Sequence, residues 1–286
     1  MKLGLSVPDF TWPGGPARLG PDLADAVRAG DEAGFEYLSI MDHFFQIPYV
    51  GPVENDMLEA YTALGFIAAN TARMKLLTLV TGVHYRQPGL LAKAVTTLDV
   101  LSRGRAILGI GAGWNEQESK SLGFPFPAMK ERFEMLEEAL RYIRQMWSDD
   151  DGPFESAHIR AERLMNVPQA LSKPHPPILI GGSGEKKTLR LVARYGDACN
   201  IAGGPQLAHK LDVLRGHCEA EGRDYNEITK TTLARLAPGK TDDLKAELRE
   251  QAELGIDVTF VSILGGPRLD VIDELAKDVI PEVADY

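Results

Sequence analysis

Apolar positions in this chain follow two alternating patterns. Short apolar and β-branched runs are followed by longer segments in which apolar residues recur every three or four positions. The stretch from Met74 to Glu116 shows both. Leu76 to Val83 is apolar or β-branched with almost no alternation, as expected of a strand covered on both faces. Pro88 suits a first helical position, and Leu90, Leu91, Ala94, Leu98 and Leu101 follow at helical spacing. Gly104 ends that helix, and Ala106 to Ile110 is the next strand. Thr81, His84, Tyr85, Arg86 and Gln87 lie at or beyond the first strand's C-terminal end; Gly111, Gly113, Trp114 and Asn115 follow the second. In parallel α/β proteins the chemistry gathers at that end.

The same alternation runs through the chain. Strands are predicted at Lys2–Val7, Phe35–Met41, Leu76–Val83, Ala106–Gly111, Pro177–Ile180, Asp197–Ile201, Ile228–Leu236 and Val258–Ile263. Between them lie helices, the first capped by Asp22 and ended by Gly34, and the fourth from Pro127 to Trp147. A turn at 265–267 leads to a last helix reaching about Val279. Eight strand–helix units predict an α/β fold, a (β/α)8 TIM barrel, with a doubly wound open sheet as the alternative. Residues 148–176 break the pattern with a short hairpin and a proline-rich run. They are read as an insertion over the barrel mouth within a single domain spanning 1–286.

Composition narrows the classes. A length of 286 residues, 44% of them apolar and 25% charged, suits one globular barrel domain. A net charge of -10 argues against nucleic acid as partner, so an anionic ligand needs a local basic patch. The two cysteines, Cys199 and Cys218, form no framework and suggest reduced thiols in a cytoplasmic protein. No secretory leader and no membrane-length apolar run is expected.

Several motifs carry candidate chemistry. Gly181, Gly182, Ser183 and Gly184 lie between a strand and a helix, where free N–H groups attract phosphate; a plain tight turn is the competing reading. A P-loop does not fit, because Lys186 stands where it needs glycine. Lys186, Arg190 and Arg194 share one helical face as a basic stripe or as solvated charge. Gly109, Gly111 and Gly113 imitate a dinucleotide fingerprint, but Trp114 occupies the third glycine position. They are read as room for a flat ligand, or as a glycine turn. Asp42 and His43 end the second strand, and His43 suits proton transfer near neutral pH. Neighbours on a strand point opposite ways, so at most one of the two enters the barrel unless the strand has ended. No metal site or nucleophile elbow is expected.

Three blocks together resemble the luciferase-like monooxygenase superfamily, and more narrowly its branch using the deazaflavin coenzyme F420. They are MDHFFQIP at Met41–Pro48, the run from Leu79 to Glu116, and PPILIGGSGEKKTLRLVARYGDACN from Pro176, with LGFPFP at Leu122–Pro127. The resemblance implies a barrel, often dimeric, that seats a flavin-type ring at its mouth. It implies a bulge, often with a non-prolyl cis peptide, at about Leu79, Val80 and Thr81, with Thr81 touching the ring. It also implies coenzyme contacts from Asp42, Gly111, Gly113, Asn115, Gly181, Gly182 and Ser183, with the basic stripe suiting an anionic tail. Sugar-phosphate dehydrogenases of the branch carry a glutamate where Trp114 stands, so Trp114 and Trp12 are expected to wall a less polar pocket. The expected function is hydride transfer between F420 and a small organic substrate, with His43 catalytic. FMN-dependent monooxygenation and a coenzyme carrier without turnover are the alternatives, and a homodimer is expected.

Overall fold

The computed structural model describes residues 1–237, 239–263, 266 and 268–286. Eight parallel strands close into a ring: β1 (Lys2–Val7), β2 (Tyr37–Ile40), β3 (Lys75–Thr78), β4 (Ala106–Gly111), β5 (Ile178–Gly181), β6 (Ala198–Asn200), β7 (Thr229–Leu236) and β8 (Val258–Ile263). β8 pairs with β1 from Lys2↔Val258 to Ser6↔Ser262, which closes the barrel. The fold is therefore the (β/α)8 barrel, and the open sheet is excluded. Its outer helices are α1 (Pro16–Ala33), α2 (Ala60–Asn70), α3 (Pro88–Leu101), the short α4 (Glu116–Leu122), α5 (Met129–Met146), α6 (Thr188–Tyr195), α7 (Leu207–Glu221), α8 (Thr241–Glu253), α9 (Leu269–Glu274) and α10 (Ile280–Val283). A π turn at Leu275–Val279 joins the last two. Of the expected turn at 265–267, residues 265 and 267 lie outside the described residues.

Two apolar clusters hold the barrel. One lies between strands and helices. The other fills the interior with Tyr37, Leu77, Ile107, Leu179, Ala198, Val258 and Phe260, and Leu79 and Val80 pack against it. Phe260 reaches across Gly4, where a Cβ would stand 2.5 Å from its ring.

The third strand is not continuous, contrary to the reading of Leu76–Val83. β3 pairs Leu77 with Ile107, and pairing with β4 resumes at Thr81↔Ile110. Four steps on one strand face three on the other, which is a one-residue bulge. The Leu79–Val80 peptide within it is cis. The bulge turns Val80 inward onto backbone that carries no side chains. A Cβ at Gly181 would lie 2.8 Å from Val80 Cγ1, one at Gly111 3.1 Å from Val80 Cγ2, and one at Gly109 1.9 Å from the Thr78 carbonyl oxygen. These glycines thus make room for protein before they make room for a ligand.

Two other expectations are corrected. α1 begins at Pro16, not after Asp22, because Pro16 presets the first helical turn and Pro21 is accommodated within the helix. The insertion does not cover the mouth. It joins the end of α5 to the start of β5, and in a βα barrel that junction lies at the opposite face. There the backbone N–H groups of Leu171 and Ser172 donate to Asp99 at 2.7 and 2.9 Å, and the predicted hairpin pairs Phe154–Glu155 with Arg160–Ala161.

Gly109→Ala is expected to cost about 3 kcal/mol, because the new methyl group meets backbone that cannot yield. Denaturant unfolding reads this directly, and an unchanged midpoint would show that the bulge is free to move.

Candidate active site

At the C-terminal ends of the strands a cavity of about 620 Å³ opens above the interior cluster. Leu79 and Val80 form its floor, with Thr81, Gly111, Gly181 and Gly182 around them. His43, Tyr49 and Trp114 wall the other side, and Arg235 lies at the rim. Among the described residues no aspartate or glutamate lines it. Trp114 is 51% exposed and meets the His43 ring edge-on at 5.5 Å.

His43 is held from behind by Glu118, which is fully buried on α4. Its Nδ1–H donates to Glu118 Oε2 at 2.8 Å, and the Tyr85 hydroxyl donates to the same oxygen at 2.6 Å. Oε1 accepts from the backbone N–H groups of Phe44 and Phe45, the latter at 2.8 Å. Burial pushes the Glu118 carboxyl up, but these donors outweigh it and hold the group below its ordinary range, so it stays charged. Burial and the same hydrogen bond push the Tyr85 phenol upward, so it remains a donor. The bond to Glu118 fixes the His43 tautomer and leaves Nε2 as the working nitrogen. Among the described residues nothing pairs with that atom.

His84, next to Tyr85, has a different role. Burial, reinforced by Arg132, pushes it down to about 4, so it is neutral. Its ring fills the space above Gly113, where a Cβ would lie 2.2 Å away.

The remaining expected contacts separate into two groups. Leu79, Val80, Thr81, Gly111, Gly113, Gly181, Gly182, His43 and Trp114 all line the cavity. Asp42 does not. It turns away from the mouth into a two-pronged pair with Arg86, at 2.5 and 3.0 Å, and Arg86 continues to Glu59. Asn115 caps α4 by accepting from the Glu118 N–H at 3.2 Å. Trp12 lies outside the cavity lining and donates to the Asp9 carbonyl at 2.8 Å. The Ser183 hydroxyl accepts from the Ala202 N–H at 3.0 Å, which ties the loop after β5 to the loop after β6.

The turn after β5 presents free backbone donors. Among the described residues no acceptor meets the N–H groups of Ser183, Gly184 or Glu185. Such free donors ahead of a helix attract an anion. Two of the three cations of the basic stripe are engaged elsewhere. Arg190 and Arg194 run down the outer wall and meet Glu137 at 3.7 and 2.9 Å.

A family model described as luciferase-like monooxygenase matches residues 1–263. The chain belongs to this family. Among curated relatives it is 34% identical over 224 residues to an F420-dependent glucose-6-phosphate dehydrogenase of Kineococcus radiotolerans, covering 75% of this chain and 63% of that one. The chain thus spans less than two thirds of that relative's length. Its fold is shared with the F420-dependent tetrahydromethanopterin reductase of Methanopyrus kandleri, with a TM-score of 0.80, 16% identity and 99% of each chain covered. It is shared equally with a riboflavin lyase solved with a modified FMN, at a TM-score of 0.82 and 14% identity, covering 100% of this chain and 91% of that one.

Glu118 is a member of the site that sequence spacing did not single out, whereas Tyr85 belongs to the polar cluster expected after the third strand. Glu118→Gln removes a charge-assisted acceptor and should cost about 2 kcal/mol near neutral pH. Because the folded protein holds this carboxyl below its ordinary 4.5, the contribution is complete above that pH and is lost as pH falls through the lower folded value. The gap in melting temperature between wild type and Glu118→Gln should therefore narrow in acid. A gap independent of pH would exclude a charged Glu118.

Proposed function

We propose that this protein is an F420-dependent oxidoreductase acting on a small organic substrate. The observation that carries the reading is the cavity itself. It has a flat floor at Val80 edged by glycine backbone, unpaired N–H donors after β5, and an imidazole with one nitrogen fixed and the other free. The name of the Kineococcus relative supports the choice of coenzyme. Gly111, Gly181 and Gly182 would border the ring, and the turn from Ser183 would hold the phosphate. When bound, the deazaflavin supplies a carbon that gives or accepts hydride.

The chain's own residues do the rest. Glu118 holds the imidazole in one tautomer, so that His43 Nε2 carries or receives the proton that accompanies hydride transfer. Trp114 and Tyr49 narrow the opening and keep water from the reacting groups. Trp114, standing where the sugar-phosphate dehydrogenases carry a glutamate, gives the cavity an aromatic face beside His43 and favours a substrate with an apolar body over a sugar.

One observation keeps FMN as a second reading. The pairing of Arg190 and Arg194 with Glu137 partly neutralises the cationic stripe that would favour the coenzyme with the anionic tail. Buried free thiols at Cys199 and Cys218 suit a cytoplasmic location. Exposed Phe66 on α2, with Leu90 and Leu101 on one face of α3, suits a homodimer.

Separate calorimetric titrations with F420 and FMN test the coenzyme. Micromolar or tighter F420 with weak FMN is expected, and the reverse preference moves the protein to flavin chemistry. In the same assay His43→Ala should still bind F420 while turnover falls by about 100-fold or more. Undiminished turnover removes His43 from the reaction. Light scattering is expected to give twice the 31.3 kDa chain mass, and Leu90→Glu should return the monomer; a monomeric wild type ends the dimer reading.

A further inference from the structure

The inward faces of the strands stack in layers, and the layer that borders the cavity is not apolar all round. The register places Arg235 of β7 level with Ser262 of β8, and Ser262 level with Ser6 of β1. All three line the cavity. They stand one inward step above Leu233, Phe260 and Gly4, which are aligned in the same way. An arc of one guanidinium and two hydroxyls thus spans three neighbouring strands.

Each member is available. Ser6 and Ser262 are 7% and 8% exposed, and among the described residues neither hydroxyl has a hydrogen-bond partner. Both residues border the open cavity, so their hydroxyls stand where the oxygens of a bound ligand would accept from them. Arg235 meets no carboxylate among the described residues, although the chain carries a net charge of -10. Its planar fork pairs readily with a two-oxygen anion.

The arc does not coincide with the seat proposed for the coenzyme. That seat lies on β3, β4 and β5, where Val80 and the glycines are. The arc lies on β7, β8 and β1, and His43 stands at the end of β2, the next strand round. Between these two halves stand Asn200 of β6 on one side and His43, Tyr49 and Trp114 on the other.

Resting on the reading that this cavity holds F420, we propose that Arg235, Ser262 and Ser6 form an anion subsite for the substrate. The substrate is then an organic anion, a carboxylate or phosphate ester. Its acidic end binds the arc, and its apolar body lies against Trp114 within reach of His43 Nε2.

The test is calorimetric titration of the F420-loaded protein with 3-phenylpropanoate, 3-phenylpropanamide and 2-phenylethyl phosphate. One or both anions should bind about tenfold tighter than the neutral amide. Arg235→Met should abolish the preference, Ser262→Ala should reduce it, and F420 affinity should stay the same in both. A tighter carboxylate assigns a carboxylic acid substrate and a tighter phosphate assigns a phosphate ester. The proposal is overturned if the amide binds as well as the anions, if no probe binds, or if the preference survives Arg235→Met. Weaker F420 binding by Arg235→Met also overturns it, because the arc would then serve the coenzyme. The same titrations without coenzyme separate the two readings. If the wild type takes no F420 yet still prefers anions, the coenzyme reading fails and the anion subsite stands.

Discussion

The site depends on Val80 lying against bare backbone. Its side chain enters the barrel against the ends of β4 and β5, and it fits because Gly111 and Gly181 present no Cβ to it. Close-packed interiors do not absorb an extra methyl group there without moving a strand. This one contact divides the barrel. Below it the interior is filled by Phe260, Tyr37 and their neighbours. Above it the strands end around open space. The glycines that look like a nucleotide fingerprint are explained first by this packing.

A second constraint fixes the chemistry onto that floor. The loop after β2 would be a poor support for a catalytic imidazole by itself. Glu118 reaches it from α4 and gathers four donors from two loops on one carboxylate. A buried charge is costly unless its oxygens are satisfied, and here they are. Asp42 does similar work on the other side, joining β2 to Arg86 and, through Glu59, to the start of α2. The adjacent pair Asp42 and His43 is thus split. One residue braces the wall and the other faces the cavity.

Much of the barrel was legible because strand and helix periods differ and eight repeats are hard to miss. The bulge was not legible from spacing, since adding one residue to an apolar run leaves the run apolar. It came only through family resemblance. Glu118 was hidden within the polar run NEQESK, which looks like exposed helix, and only the fold shows that its face is buried. The arginine stripe showed the opposite problem. Spacing places Arg190 and Arg194 on one face, but nothing local reveals that Glu137 waits on α5. The insertion was misplaced for a topological reason that the element order already contained, since a segment between a helix and the next strand lies away from the mouth. Ser6, Ser39 and Ser262 each interrupt an apolar strand, and only the register aligns them.

The polarity of the mouth then gives the two halves different demands. On β3, β4 and β5 the surface is backbone and Val80, which suits a flat ring whose anionic end reaches the donors after β5. On β7, β8 and β1 the donors are side chains, and they are few. The cavity of about 620 Å³ is bordered by both, so a ring seated on the first half leaves Arg235, Ser262 and Ser6 facing open space. On the proposed reading the second molecule rests on the first. The coenzyme completes the substrate's pocket, and His43, fixed by Glu118, stands at the seam where a proton is required.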